Sequence, residues 1–437
     1  MRICWLLVLL LVACERPFVE TTQPELQVIE PDLTEVQTSQ VITILVKSTH
    51  FRILKEVSLN GVQMKPAPPG PGHWTTSLGL RHGINRFYLD ATDEEGVSRR
   101  DTAYAVYLPH QISRNAPALP EGRGGHSTIR LRDGSVMVTG GARQQGNLAQ
   151  SESFLLDPTS DRFIQMEARL LTPRTGHTAS LLPDGKVLIV GGSRIDSPSE
   201  VSDLIETVEI IDPTASQPGF IELPVRGQAI RRTHHTAIIH EDNGELLLDL
   251  AGGYGDLNYG ANPFFGVRQD LRTFRIESDE VIALNTRASA PFIYEPVAGH
   301  TVTQSQPDSY FILGSQFMNG DAINGNMRIH YPGGSRVDFS PLPGLRIPRT
   351  YHATASIFGG IFGLFGGRLE SSDISLQIEI FHESTDQFFT LRPSQPMVTR
   401  YDHTATSTGL RAILLVGGFN QNGTATPVSE FVLFSSR

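Results

Sequence analysis

One short pattern recurs six times between positions 123 and 418, and it constrains the chain more than any other feature. Each copy runs from an Arg or small residue through a variable residue to a His, then two apolar runs split by a turn, then a pair of small residues. The copies open at Arg123-Gly124-Gly125-His126, Arg174-Thr175-Gly176-His177, Arg232-Thr233-His234-His235, Ala298-Gly299-His300, Arg349-Thr350-Tyr351-His352 and Arg400-Tyr401-Asp402-His403. They close at Gly140-Gly141, Gly191-Gly192, Gly252-Gly253, Gly314-Ser315, Gly366-Gly367 and Gly417-Gly418. The His-to-His intervals are 51, 58, 65, 52 and 51 residues, enough for four short strands each.

The parts of the pattern have physical reasons. Asp133-Gly134 and Asp184-Gly185 divide the apolar runs and suit two-residue hairpins whose backbone needs positive φ. The Gly pair falls where strands from neighbouring copies converge, so that a side chain there would crowd the next backbone. A third strand is expected at residues 153–156 and 208–211, and a fourth, outer strand around Phe163, Phe220, Val281, Val337 and Phe388. The last copy stops after its third strand, residues 430–434, while residues 111–119 precede the first His and are placed to supply the missing one. Joining both ends in one sheet would leave no exposed edge.

This motif resembles the kelch repeat. The resemblance implies an all-β chain whose residues 111–437 form a six-bladed β-propeller, with Phe or Val where kelch repeats usually place Trp. In kelch propellers the loops after the Gly pairs and those before each His share one face. On it the third copy carries the longest loop, with Tyr254, Asp256, Asn258, Tyr259, Asn262, Phe264 and Phe265. A polar loop in the fourth copy holds Phe317, Asn319, Asp321 and Asn324. Aromatics among Asp and Asn can stack on a sugar ring and bond its hydroxyls, anchor a protein partner, or pack over their own blade. Asp256 and Asn258 also offer hard oxygen ligands for calcium.

The repeat histidines His126, His177, His235, His300, His352 and His403 make up 6 of the 14 in the chain. Chemistry seldom needs one residue in every copy, so these and their Arg neighbours are read as structural, bonding across junctions between copies. His234, His235 and His240 superficially suggest zinc, but the last two lie on opposite strand faces. Galactose oxidase also carries kelch blades, and its cysteine-crosslinked copper site has no counterpart in a propeller without cysteine. No sialidase box, G-x-S-x-G or H-E-x-x-H occurs. A sugar epimerase or hydrolase on this scaffold stays open, with Asp256, Arg268 and Asp321 as candidate acids and bases.

Ahead of the array, β-rich runs at residues 41–46, 56–59, 74–78, 85–91 and 102–108 have the spacing of a small sandwich. Leu80-Arg81-His82-Gly83-Ile84-Asn85, then Asp93 and Gly96, resemble the back half of bacterial immunoglobulin-like modules, which places an immunoglobulin-like β-sandwich at residues 28–109. Residues 14–27 lack apolar periodicity and read as a tether.

The first 13 residues read as an export signal: Met1-Arg2, ten apolar residues too few to span a bilayer, then Leu11-Val12-Ala13-Cys14. The last four resemble the lipobox of bacterial lipoproteins. That resemblance implies cleavage before Cys14 and its acylation, with Glu15 favouring the outer membrane; an ordinary secretory signal is the competing reading. Both cysteines, Cys4 and Cys14, lie in this stretch. With 36 basic against 46 acidic residues, net charge −10 and no basic run, the composition argues against a nucleic-acid partner held by phosphate contacts. A lipid-anchored envelope protein that binds a protein or glycan is the expected function, with a carbohydrate-active enzyme as the alternative.

Overall fold

The computed structural model describes residues 24–48, 53–157, 162–256, 265–268, 270–284, 298–316, 322–323, 326–333, 336–370, 373–393, 395–409 and 411–435. The chain is all-β. Apart from one 3₁₀ turn, Val201–Asp203, the regular elements among these residues are strands.

The chain divides into two compact units, described separately. In the first, Val41–Ser48 pairs with Leu26–Glu30 on one side and His73–Gly79 on the other. Leu54–Leu59 pairs with Gly83–Asp93, which belongs to the sheet that ends at Ser98–Tyr107. Strict alternation turns Ile42, Ile44 and Val46 inward from one sheet and Phe87, Leu89 and Ala91 from the other. Asn60 (φ 50°) and Gly61 (φ 79°) make the two-residue hairpin that their types favour.

The second unit is a succession of antiparallel sheets, each following the chain. The first copy gives Ser127–Arg130, Val136–Thr139, Ser153–Leu156 and Phe163–Gln165 in that order, and the second gives Thr178–Leu181, Val187–Val190, Val208–Ile211 and Phe220–Leu223. The fourth and fifth copies repeat the arrangement. The third adds Val225–Arg226, parallel to the outer strand Val281–Ala283. In the last copy the fourth strand is His110–Ser113, antiparallel to Ser429–Phe434. Phe163, Phe220, Val281, Val337 and Phe388 are all buried in outer strands.

The Asp-Gly turns differ from the two-residue hairpins expected. Leu131 N donates to Ser135 O and only Gly134 has positive φ (91°), which leaves a three-residue loop; Leu182, Lys186 and Gly185 (φ 95°) repeat it. The Asp133 carboxylate accepts the Ser135 N–H at 2.9 Å, so Asp serves as the turn's internal acceptor and only Gly takes the left-handed position.

Apolar faces of successive sheets pack on one another. Leu188 and Val190 meet Leu248 and Leu250; Phe311 and Leu313 meet Phe362 and Leu364; Val136 and Val138 meet Leu414 and Val416 of the last copy. The repeat histidines tie the junctions, whereas the repeat Arg side chains bond within their own copies rather than across to the next. Arg174 Nη1 donates to Gly191 O at 2.9 Å while its Nη2 meets the fully buried Glu209 at 2.5 Å. Arg349–Glu379 (3.0 Å) and Arg400–Glu430 (2.7 Å) repeat this pairing. His126 Nε2 lies 3.1 Å from Thr404 Oγ1, His177 Nε2 3.0 Å from Thr139 Oγ1, and His352 Nε2 3.1 Å from Thr301 Oγ1, each a hydroxyl of the preceding copy. A Cβ on Gly191 would sit 2.7 Å from His235 Cε1 and one on Gly366 2.7 Å from His403 Cε1, so the glycines make room for the next copy's imidazole.

Candidate functional site

The residue just before each repeat His takes the left-handed conformation in all six copies: Gly125 (φ 64°), Gly176 (62°), His234 (51°), Gly299 (62°), Tyr351 (52°) and Asp402 (55°). These residues also hydrogen-bond to one another through the backbone. Gly125 N donates to Asp402 O, Gly176 N to Gly125 O, His234 N to Gly176 O, Tyr351 N to Gly299 O, and Asp402 N to Tyr351 O, at 2.7–2.9 Å. Together with five repeat histidines they line an inner cavity of about 120 Å³. Glycine is the low-cost choice for this backbone, and three copies use it. The other three put His, Tyr and Asp side chains into the same place at a conformational cost of about 1–3 kcal/mol each.

Above them opens a larger cavity of about 360 Å³. Its walls are segments that follow Gly pairs (Gln145, residues 196–199, Tyr254, Arg368) and segments that precede repeat histidines (His234, Tyr351, Tyr401, Asp402), joined by Phe265 and Gly266. Tyr254 and Phe265 stand on paired strands, Tyr254–Asp256 against Phe265–Val267, with their rings stacked at 5.7 Å and 5°. The His234 ring meets Tyr351 edge-on at 5.2 Å. Arg368 lies over the Tyr401 ring at 5.0 Å, and Tyr401 Oη donates to Gln145 Oε1 at 2.8 Å. Burial pushes the Tyr401 phenol up to about 12, helped by Asp402 and Asp196 against the pull of Arg368, so it stays a donor.

The polar corner is Asp196, His234 and Asp402. His234 Nε2 is 3.4 Å from Asp402 Oδ2, and one ligand atom from each of the three side chains lies within 4.8 Å of the others. Asp196 is only 2% exposed. Burial, and then the Asp402 charge, push its carboxyl up to about 6, against the pull of His234. Burial alone would lower the His234 imidazolium, but the Asp402 carboxylate, with Asp196 behind it, outweighs that and raises it. Around neutral pH the corner can both give and accept a proton.

Of the residues singled out from sequence, Tyr254 and Phe265 line this cavity. Asp256 does not: it is buried beside it, its carboxylate 3.6 Å from Arg231 Nη1 and its carbonyl accepting from Arg268. Arg268 in turn pairs with Asp270 at 2.5 Å. Asn258, Tyr259, Asn262, Phe264, Phe317, Asn319, Asp321, Asn324 and Cys14 lie outside the described residues. His240 meets Asp249 at 3.1 Å and stacks on Tyr331, away from His234 and His235. Sequence reasoning missed Asp196, Tyr351, Arg368, Tyr401 and Asp402, and saw His234 only as part of a three-His pattern. The available signal was a non-glycine before the repeat His.

No family model matches the chain. Among curated proteins it is similar to three from Oryza sativa subsp. japonica. It is 28% identical to Adagio-like protein 1 over 213 residues, covering 44% of this chain and 32% of that protein. With Adagio-like protein 3 the identity is 33% over 178 residues, 39% of this chain and 26% of that one. With Putative adagio-like protein 2 it is 24% over 327 residues, 73% and 42%. The chain thus spans well under half the length of these relatives. The solved structure titled "Structure of YjhT" superposes with a TM-score of 0.55 at 14% identity, covering 72% of this chain and 96% of that one. With the repeated four-stranded sheets, these likenesses give the chain a kelch-like fold.

Proposed function

We propose that this chain is a lipid-anchored protein of the bacterial envelope that binds a glycan in the pocket of a six-bladed kelch-type propeller, carried on an immunoglobulin-like module. The observation that carries the glycan reading is the pocket's composition. Rings of Tyr254, Phe265, Tyr351 and Tyr401 surround a corner of two carboxylates, an imidazole, a guanidinium and an amide. Aromatic faces suit the C–H faces of a sugar ring, and dense fixed donors and acceptors suit its hydroxyls. About 360 Å³ lies at the small end of ligand pockets, which favours one or two sugar units. Six blades are supported by the six His motifs and by the strand His110–Ser113 completing the last sheet. The immunoglobulin-like module rests on the two paired sheets of the first unit, and the anchor on Leu11-Val12-Ala13-Cys14. A glycan array probed with the full chain in detergent tests the reading: retention of glycans that is lost in Phe265→Ala supports it, and an array with no retention overturns it.

A second reading, a carbohydrate-active enzyme, is favoured by one observation, the raised Asp196 carboxyl beside His234 and Asp402. Those three then replace Asp256 and Arg268 as acid and base, because the latter two are ion-paired outside the cavity lining. Chemical turnover of an array-positive glycan, lost in Asp196→Asn while binding persists, separates the two readings.

A further inference from the structure

Asp196, His234 and Asp402 come from the second, third and sixth copies and meet only through the fold. We infer that together they hold a divalent first-row cation, zinc or manganese, at the floor of the pocket. This goes beyond the glycan reading and does not depend on it.

Four observations carry the assignment. The donor atoms, one imidazole nitrogen and two carboxylate oxygens, lie within 4.8 Å of one another, the span of ligands around one ion. Each inner donor is braced from behind, as metal ligands commonly are. The Asp196 carboxylate accepts from Gly146 N at 3.2 Å, Ser197 Oγ at 3.3 Å and Thr175 Oγ1 at 3.4 Å. His234 Nδ1 lies 3.3 Å from Thr233 Oγ1, which leaves Nε2 directed at Asp402. Asp196 is 2% exposed and the His234 and Asp402 side chains 9% and 17%, so the two carboxylates converge on the imidazole where solvent screening is reduced. His234 and Asp402 also occupy left-handed positions that copies one, two and four fill with Gly, so the fold retains them against backbone preference.

The chemistry of the donors narrows the ion. An imidazole nitrogen among three protein ligands favours a first-row transition ion over calcium or magnesium. Three ligands leave a coordination position open, and the 360 Å³ cavity lies over it. Vicinal hydroxyls of a sugar are the donor class that this position would accept.

The test is direct metal binding. The full chain, stripped with chelator, is titrated calorimetrically with ZnCl₂ and MnCl₂, with CaCl₂ as comparator, and the bound metal is counted by mass spectrometry. One zinc or manganese per chain is expected, with affinity falling at least tenfold in His234→Gly and Asp402→Gly. Both changes install the residue that other copies already carry, and a thermal melt checks that the fold survives; Asp196→Asn gives a third variant that leaves the backbone alone. Absence of stoichiometric zinc or manganese binding, binding unchanged in all three variants, or binding of calcium alone would overturn the assignment. Phe265→Ala should leave the metal isotherm unchanged while weakening glycan retention, so failure of the glycan reading is distinguishable from failure of this one.

Discussion

His234 Nε2 stands 3.4 Å from Asp402 Oδ2 although 168 residues separate them, and each is held in a left-handed backbone conformation that its own type disfavours. The pair exists because the same position recurs in every copy and all six positions line one inner cavity. A side chain introduced at any of them therefore enters a shared space.

This makes stability and function separable at that position. His234→Gly and Asp402→Gly should raise the unfolding free energy by about 1 kcal/mol each, since glycine takes this backbone without strain. The reverse change, Gly125→Ala, should destabilise, because its Cβ would run into Thr175 Oγ1. Urea denaturation of the three variants measures both directions; a loss of stability in the two glycine variants contradicts the argument.

The aromatic walls should matter for ligand rather than for folding. Tyr254 and Phe265 are half-buried and stack mainly on each other. Truncating either to Ala should cost about 2 kcal/mol of affinity, roughly thirtyfold, for any glycan identified on the array. Titration of that glycan against wild type and variants checks this. Tyr401→Phe should lose less, keeping the ring but not the bond to Gln145.

The buried ion pairs predict an asymmetry. Arg174 and Glu209 are both fully buried at 2.5 Å, so Glu209→Ala alone strands a cation and should cost about 3–5 kcal/mol. Replacing both by apolar residues of similar volume should cost clearly less, and equilibrium unfolding of the single and double variants gives the comparison.

Acid should weaken the repeat junctions. Burial holds His126 down to about 3, helped by Arg123; burial holds His300 to about 3; and burial with Arg349 does the same for His352. In the unfolded chain an imidazole titrates near 6.5, so acid favours the unfolded state. This contribution is complete above about pH 6.5 and is lost as the pH falls toward 3, at about 1.4 kcal/mol per pH unit for each histidine. Urea midpoints taken from pH 7 to pH 4 should fall steadily, and a flat profile contradicts the assignment. His300→Gln should make the fall shallower.

For the anchor, Cys14→Ser should move the protein from the membrane to the soluble fraction and abolish incorporation of labelled fatty acid. Unchanged membrane association, with no label on the parent chain, points instead to an ordinary secretory signal.

Much of the array was readable in the sequence because its information is local. Alternating apolar residues mark strands, Gly pairs mark crossings, and the interval between histidines measures a sheet. The sequence points to residues 111–119 for the missing outer strand, and the strand His110–Ser113 that pairs with Ser429–Phe434 uses only the first three of them. The pocket was harder to see. Its polar corner is assembled from Asp196, His234 and Asp402, three loop positions in separate copies, and no spacing along the chain links them. Tyr254 and Phe265 stood out because their loop is long, whereas Tyr351 and Tyr401 hid inside a motif read as purely structural. The three-residue turns at Gly134 and Gly185 were misjudged because Asp-Gly fits two hairpin types and only the flanking hydrogen bonds tell them apart.

The strand shared by the two ends of the array also sets an order of events for a chain made from its amino terminus. His110–Ser113 emerges before any sheet of the array exists and must wait, unpaired, until Ser429–Phe434 arrives. Until then His110–Ser113 keeps unpaired backbone groups that a strand of a second molecule could take up. A stall or truncation a few residues before position 429 would leave every earlier sheet able to form and His110–Ser113 permanently without its partner strand.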